Sequence, residues 1–246
     1  MTTPPSIVLF TDFGLAGPYT GQVKAVLRRD APGCDIVDLF ADAPIGNPRA
    51  SAYLLAAYAA WFPVGTVYLC VVDPGVGSDR APLIVEADGK HFVGPDNGLF
   101  ELVLRRGANT RVSEIAWRPA TLSSSFHGRD LFAPIAAMLA CGEAPATREH
   151  APLRHPLWPD DLTEIVYVDH YGNAMTGLRA SALSNDAILS VAAERRIARA
   201  ETFASVPTGA AFWYANSNGL AEIAVNRGRA DTGLGLAIGS AVAVTT

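Results

Sequence analysis

Four stretches of the chain gather side chains able to do chemistry. In "VVDPGVGSDR" an apolar run ends on Asp73, and Pro74, Gly75 and Gly77 impose an irregular loop from which Arg80 can return to the carboxylate. In "SSFHGRDLFAP" His127, Gly128, Arg129 and Asp130 stand in a row before an apolar segment, and "SIVLFTD" ends on Asp12. A carboxylate, a guanidinium and an imidazole that converge, with no serine or cysteine nucleophile signature beside them, suit activation of a water rather than covalent catalysis. Asp12 could accept both hydroxyls of a sugar diol. The fourth stretch, "VDHYGNAMTGL", sets Tyr171 and Asn173 beside Asp169, an aromatic and an amide suited to stacking on a base and reading its edge. Each has a structural alternative. Asp130 would complement a helix dipole, Asp12 could cap a helix, and Asp73 with Arg80 could be a turn with a surface ion pair. Asn97 in "GPDNGL" reads as a helix cap, and Gly172 as the centre of a β-turn. No cluster has metal-ligand spacing, so no metal is expected.

The elements that would position these groups follow from periodicity. "SIVLFTD", "CDIVDLF" and "TVYLCVVD" read as buried strands, and "GPYTGQVKAVLRRDAPG" and "NPRASAYLLAAYAAWFP" as helices. Asn47 caps the second helix, with Pro48 at its first position. "APLIVEADGKHFVGPD" carries Asp88-Gly89 between apolar runs, a hairpin signal. "NGLFELVLRRG" predicts a helix, "RVSEIA" a short strand, and "GRDLFAPIAAMLACG" a helix with Pro134 near its first turn. Strands alternating with helices predict an α/β domain over residues 1–143 with a largely parallel sheet. The loops at the strand ends of such a sheet gather on one edge, which would bring Asp12, Asp73 and His127 together.

Residues 144–160 are rich in proline and polar side chains and predict a linker, with His150 and His155 solvated within it. Over 161–246 the strand signals "EIVYVDHYG", "AILSV", "FWYANSNGLAEIAVN" and "SAVAVTT" predict a small β-barrel or sandwich, with a helical pattern only over "AAERRIARAETF". "TDFG", at residues 11–14, lies on the first strand with no glycine-rich or catalytic loop ahead of it, so a kinase reading fails. "GLGLAIG" lacks the dinucleotide-binding spacing and reads as a turn between strands.

Composition narrows the partners. The 246 residues are half hydrophobic, and 24 Asp and Glu outnumber 19 Lys and Arg, which leaves no general nucleic-acid footprint. Three scattered cysteines match neither a zinc site nor a secreted disulfide framework, and Met1–Ser6 offers no apolar signal stretch. No segment has the length of a membrane span. The expected compartment is a reducing cytoplasm.

The motifs "TDFG…PY…G…K", "FPVGTVYLCVVDPGVGSDR", "FVGPDNGL", "FHGRDLFAP", "DHYGNAMTGL" and "NSNGLAEIAVN", in this order over residues 6–244, resemble the S-adenosylmethionine hydroxide adenosyltransferases, relatives of the fluorinating and chlorinating adenosyltransferases. The resemblance implies an N-terminal α/β domain followed by a C-terminal β-barrel. It also implies a homotrimer in which substrate sits between one subunit's first domain and a neighbour's second. The implied reaction converts S-adenosylmethionine and water to adenosine and methionine, with no cofactor. By resemblance Asp73, Arg80 and His127 are the catalytic set and Asp12 holds the ribose diol. Asp169 takes the methionine ammonium, Asn173 the adenine edge with Tyr171 stacking, and Ser217 the methionine carboxylate. Phe203 flanks the adenine, and the backbone at Asn226 and Arg227 reads its amino group. Two departures from the family pattern stand out. Gly17 replaces an aspartate often found before "PY", and Gly128 stands where fluorinating members carry serine. The short path from "VDPGVGSDR" to "PDNGL" lacks the insertion typical of halogenating members, which favours water over halide. A chloride adenosyltransferase, or a sensor that binds S-adenosylmethionine without turnover, are the competing readings.

Overall fold

A computed structural model describes residues 6–191 and 195–245. The chain divides into two compact units, residues 1–155 and 156–246. In chain order the first contains β1 (Ser6–Thr11), α1 (Tyr19–Asp30), β2 (Asp35–Phe40), α2 (Pro48–Tyr58), β3 (Val67–Val71), β4 (Pro82–Ala87), β5 (Lys90–Pro95), α3 (Glu101–Arg106), β6 (Thr110–Ile115), α4 (Ala133–Ala140) and β7 (Thr147–Glu149). Their sheet has the order β2-β1-β3-β5-β4-β6-β7. The ladders joining β2, β1, β3 and β5 are parallel, and those joining β5, β4, β6 and β7 are antiparallel. This is the expected α/β architecture, with an antiparallel margin.

Alternation explains the burial of both faces. Ile7 and Leu9 of β1 point with Val67, Leu69 and Val71 of β3 into a core closed by Val23 and Leu27 of α1 and Ile135 and Ala136 of α4. Phe10 points the other way, onto Phe40, which meets Tyr58 of α2 edge-on. Local signals set the boundaries. Asn47 Oδ1 accepts the Ala50 N–H at 3.0 Å, with Pro48 opening α2. Asp88 and Gly89 both take positive φ, 49° and 76°, as a two-residue hairpin turn between β4 and β5 requires.

Two expectations in this unit are corrected. Within the stretch expected to be a linker, Thr147–Glu149 is instead a strand, β7, which pairs with β6 while Arg148 holds Glu114 through two hydrogen bonds. His150 is not solvated: its Nε2 lies 2.9 Å from Asp96 Oδ2. His155 is also engaged, since its N–H reaches Glu101 and its carbonyl accepts from Arg105.

The second unit contains β8 (Leu162–Val168), β9 (Ala174–Arg179), β10 (Ile188–Val191), β11 (Arg195–Ile197), β12 (Ala211–Ala215), β13 (Leu220–Val225), α5 (Ala230–Leu234) and β14 (Ala243–Thr245). They form two antiparallel sheets, β12-β13-β9-β8 and β11-β10-β14. Single bridges, Glu164 to Ala241 and Arg199 to Trp213, link the margins of the two sheets. Trp213, Ile165, Leu189 and Ile223 share their core. The helix expected over "AAERRIARAETF" is overturned where it is described. Arg195–Ile197 is a strand because pairing Leu189 with Ile197 buries Ile197 and leaves Arg195 and Arg196 in solvent; residues 192–194 lie outside the described residues. "GLGLAIG" is a helix end followed by a turn: Gly235 adopts φ 68° as the left-handed cap of α5.

Candidate functional site

The C-terminal ends of β1 and β3 lie side by side, with Thr11 opposite Val71, so the chain delivers Asp12 and Asp73 to one edge of the sheet. Asp12 N–H donates to Val71 O, and Asp12 Oδ2 accepts the Gly46 N–H at 2.8 Å. Burial pushes the Asp12 carboxyl above the usual aspartate range; the Gly46 N–H opposes this, and repulsion from Asp73 adds to it. The carboxylate is not a helix cap: α1 begins at Tyr19, and its cap position, Pro18, makes no side-chain capping bond.

The loop after β3 folds Arg80 back onto Asp73. Arg80 Nη1 lies 2.6 Å from Asp73 Oδ1, and the Gly75 N–H reaches the same oxygen at 3.2 Å. With 8% of the Asp73 side chain exposed, this is a buried carboxylate and not a surface ion pair. The glycines are explained by this packing. A Cβ at Gly75 would sit 1.5 Å from Arg80 Nη2, and one at Gly77, where φ is +85°, would meet Ser124 O at 2.7 Å. Asn97 fixes the same loop from below rather than capping a helix. Its Nδ2 donates to Val72 O at 2.8 Å and its Oδ1 accepts from Leu99 N–H, while α3 begins at Glu101 with Phe100 at its cap.

His127 precedes a π-helical turn, Gly128–Phe132, that leads into α4. Its neighbours in sequence are used structurally. Arg129 pairs with Asp130 through two bonds, donates to Gln22 Oε1 and lies over the Phe126 ring, while Asp130 Oδ2 accepts the Ser123 N–H. Asp130 therefore clamps the preceding loop. The His127 imidazole makes no hydrogen bond to any described residue. It lines two cavities that share Asp73, His127 and Phe132 as a wall. The smaller one, about 70 Å³, is also lined by Asp12, Phe13 and Gly128. The larger one, about 250 Å³, is also lined by Arg80, Glu114, Arg118 and Arg148. At Gly128 a Cβ would come 2.9 Å from the Phe13 ring, so glycine lets that aromatic pack against the backbone beside His127. Phe13 and Phe126, which meet edge-on at 5.7 Å, were not singled out from sequence, although Phe13 belongs to the set-aside "TDFG" stretch.

The second unit places Asp169, Tyr171 and Asn173 just before β9 and the remaining candidates beside β12 and β13. Asp169 accepts the Asn173 N–H at 2.8 Å and Asn173 Nδ2 at 3.0 Å. Gly172 N–H closes the turn onto Asp169 O, so the turn reading and the cluster coexist. Asn173 is buried, whereas Tyr171 projects with 74% of its surface exposed. Ser217 is exposed at the tip of the turn between β12 and β13. Phe203 meets Phe212 and Tyr214 edge-on. Asn226 is tied to the 206–210 loop by its side chain, N–H and carbonyl, and Arg227 adopts φ 56° on the surface. Sequence reading did not find Glu222, which lies buried beneath this group and accepts hydrogen bonds from Tyr214 and Asn216.

Comparison with known proteins now adds to this geometry. Residues 7–149 match the SAM hydroxide adenosyltransferase N-terminal domain and residues 163–243 the C-terminal domain. The chain is 39% identical to an (R)-S-adenosyl-L-methionine hydrolase of Thermus thermophilus, over 96% of this chain and 98% of that protein. It is 34% identical to a protein of the same name from Salinispora arenicola, over 100% and 99%. A crystal structure of an uncharacterized conserved protein from Thermotoga maritima superposes with a TM-score of 0.88 at 30% identity, covering 97% of this chain and 100% of that one.

Proposed function

Since the chain belongs to the SAM hydroxide adenosyltransferase family, we propose that it hydrolyses S-adenosylmethionine to adenosine and methionine by attack of water at ribose C5′. The observation that carries the reading is the shared wall of Asp73 and His127, with Arg80 held on Asp73, beside a cavity that Asp12 also lines.

The reaction breaks the C5′–S bond and forms a C5′–O bond; the electron pair leaves on sulfur, and water loses one proton. The sulfonium is already a good leaving group, so no acid is required. What the site must supply is a water in line with C5′–S, a proton acceptor and exclusion of other water. Asp73 is committed to Arg80 and the Gly75 N–H and serves to orient the water. The imidazole of His127, with no hydrogen bond to any described residue, takes the proton. General-base help of this kind is worth about 10²–10⁴-fold. As hydroxide character meets a sulfonium, charge is neutralised, and a cavity lined by Phe13, Val71, Phe126 and Phe132 favours that change.

Asp12 accepts the ribose hydroxyls. Asp169 holds the methionine ammonium, Ser217 its carboxylate, Asn173 the adenine edge, and Tyr171 and Phe203 its faces, with the backbone at Asn226 and Arg227 reading its amino group. The substrate lies between the first domain of one subunit (residues 1–143) and the second domain of a neighbour (residues 161–246) in a homotrimer. Leu15, three residues after Asp12, and Ile45, beside the Gly46 that bonds Asp12, are each 84% exposed, as is most of Tyr171 in the other unit, which supports burial of these apolar groups on assembly. Gly128 leaves the nucleophile's pocket without a hydroxyl, and a water nucleophile in the cytoplasm requires no cofactor.

The test is incubation of the purified protein with S-adenosylmethionine in chloride-free buffer. Equal amounts of adenosine and methionine, lost in Asp73→Ala, would support the reading. A chlorinated adenosine formed only with chloride, or binding without product, would overturn it.

A further inference from the structure

Among the described residues of the second unit Glu222 is the one buried carboxylate, with 2% of the residue exposed, yet no role in the reaction accounts for it. On β13 it stands opposite Tyr214 of β12 and Met175 of β9. An alternating strand with one solvated face would leave such a glutamate in water. Here both carboxylate oxygens are taken: Tyr214 OH donates to Oε1, and Asn216 Nδ2 donates to Oε2 at 2.8 Å. Asn216 passes the restraint on. Its Oδ1 accepts the N–H groups of Asn218 at 2.9 Å and Leu220 at 3.0 Å, and its backbone bonds Leu220 and Gly219. Ser217, exposed in this turn, makes none of these bonds. Because Glu222 fixes which end of the Asn216 amide donates, the opposite end must present oxygen to the turn.

Asp169 approaches β9 from the other side, bonding Asn173 while Glu222 pairs with the register two residues on. Burial lifts the Glu222 carboxyl above the usual glutamate range, its two donors oppose this, and repulsion from Asp169 adds to it. Arg229, which Asp169 also attracts, is committed to Asp231. The groups facing Glu222 are thus two neutral donors and one acid.

We propose that Glu222 is a positioning residue for the amino-acid end of the substrate, acting through Asn216 to set the Ser217 turn. This rests on the reading that Ser217 and Asp169 meet the methionine carboxylate and ammonium. Methionine at 222 roughly keeps the volume but accepts from neither donor, whereas glutamine could still accept from Asn216 and donate to Tyr214; with methionine the Asn216 amide loses its fixed orientation and the turn loosens.

The experiment measures binding of S-adenosylmethionine and of adenosine to Glu222→Met, Asn216→Ala and the double variant, with kcat at saturation. Expected is about a ten-fold weaker affinity for S-adenosylmethionine, adenosine binding within about two-fold, kcat nearly kept, and a double variant no worse than Asn216→Ala. Tyr214→Phe, which spares the Asn216 branch, should bind normally. Equal losses for S-adenosylmethionine and adenosine, or additive losses in the double variant, would overturn the proposal. Asp169→Asn separates the two layers. If it leaves S-adenosylmethionine affinity unchanged, the assignment of the amino-acid end falls. If it weakens binding while Glu222→Met and Asn216→Ala do not, only the relay falls. Should Glu222→Met fail to fold, Asn216→Ala alone decides, since it removes the same amide and leaves Glu222 bonded to Tyr214.

Discussion

Gly75→Ala places a methyl group where the geometry is least forgiving. The new Cβ would lie 1.5 Å from Arg80 Nη2 and 2.8 Å from Cζ. Non-bonded heavy atoms need about 3.5 Å, so the guanidinium must retreat by about 2 Å. Gly75 N–H and Arg80 both address Asp73 Oδ1, so a retreat from residue 75 also carries the guanidinium off a pair that is now 2.6 Å long. Breaking a buried pair outright costs about 3–5 kcal/mol. Arg80 is the end of a flexible chain beside an open cavity, however, so rehydration should limit the loss of stability to about 1–2 kcal/mol. The rate should suffer more. Displacement of an orienting group by an ångström or more costs about 10²-fold in turnover, with little change in substrate affinity. Adenosine formation at saturating substrate and a thermal melt read the two effects separately. A folded Gly75→Ala protein that turns over within about two-fold of the parent would refute a role for Arg80 in holding Asp73 for catalysis.

Asp12→Asn should raise the melting temperature at neutral pH and weaken substrate binding. A folded-state pKa above the unfolded one means that ionised Asp12 opposes folding, so this destabilisation fades as pH falls and its removal should stabilise. A lower melting temperature in the variant would contradict this. Acid unfolding should depend on Glu101. Burial would raise its carboxyl, but Arg154, Arg105 and the His155 N–H outweigh burial and hold it at about 2. Its contribution is fully present above the ordinary glutamate pKa and is lost as pH falls toward about 2. With Arg154 half exposed, we expect about 1–2 kcal/mol after screening, so Glu101→Gln should flatten the acid limb of a urea-midpoint profile. Gly21→Ala, in α1 with no atom within 4 Å of the new Cβ, should stabilise by about 0.5–1 kcal/mol in the same melts.

Legibility followed the range of the interactions. The Asn47 cap, the Asp88-Gly89 turn and the helix and strand order depend on neighbours in sequence, and each appears where its signal lies. The meeting of Asp12 with Asp73 was legible because parallel strands bring their carboxyl ends to one edge. What was hidden depends on distant partners. β7 is a strand because Arg148 finds Glu114, and Arg195–Ile197 is a strand because Leu189 lies beside it, although local propensity there favours helix. Glu222 reads as a solvent-facing glutamate in an alternating strand, and only Tyr214 and Asn216 explain its burial. Likewise the approach of Phe13 to Gly128 joins residues far apart in sequence.

The most direct test of the central claim follows the oxygen. S-adenosylmethionine turned over in water labelled with heavy oxygen should yield adenosine carrying one labelled atom at the 5′ hydroxyl and methionine carrying none, with the label and the turnover both lost in His127→Ala. Unlabelled adenosine, or a wild-type rate in His127→Ala, would contradict attack of a His127-activated water at C5′.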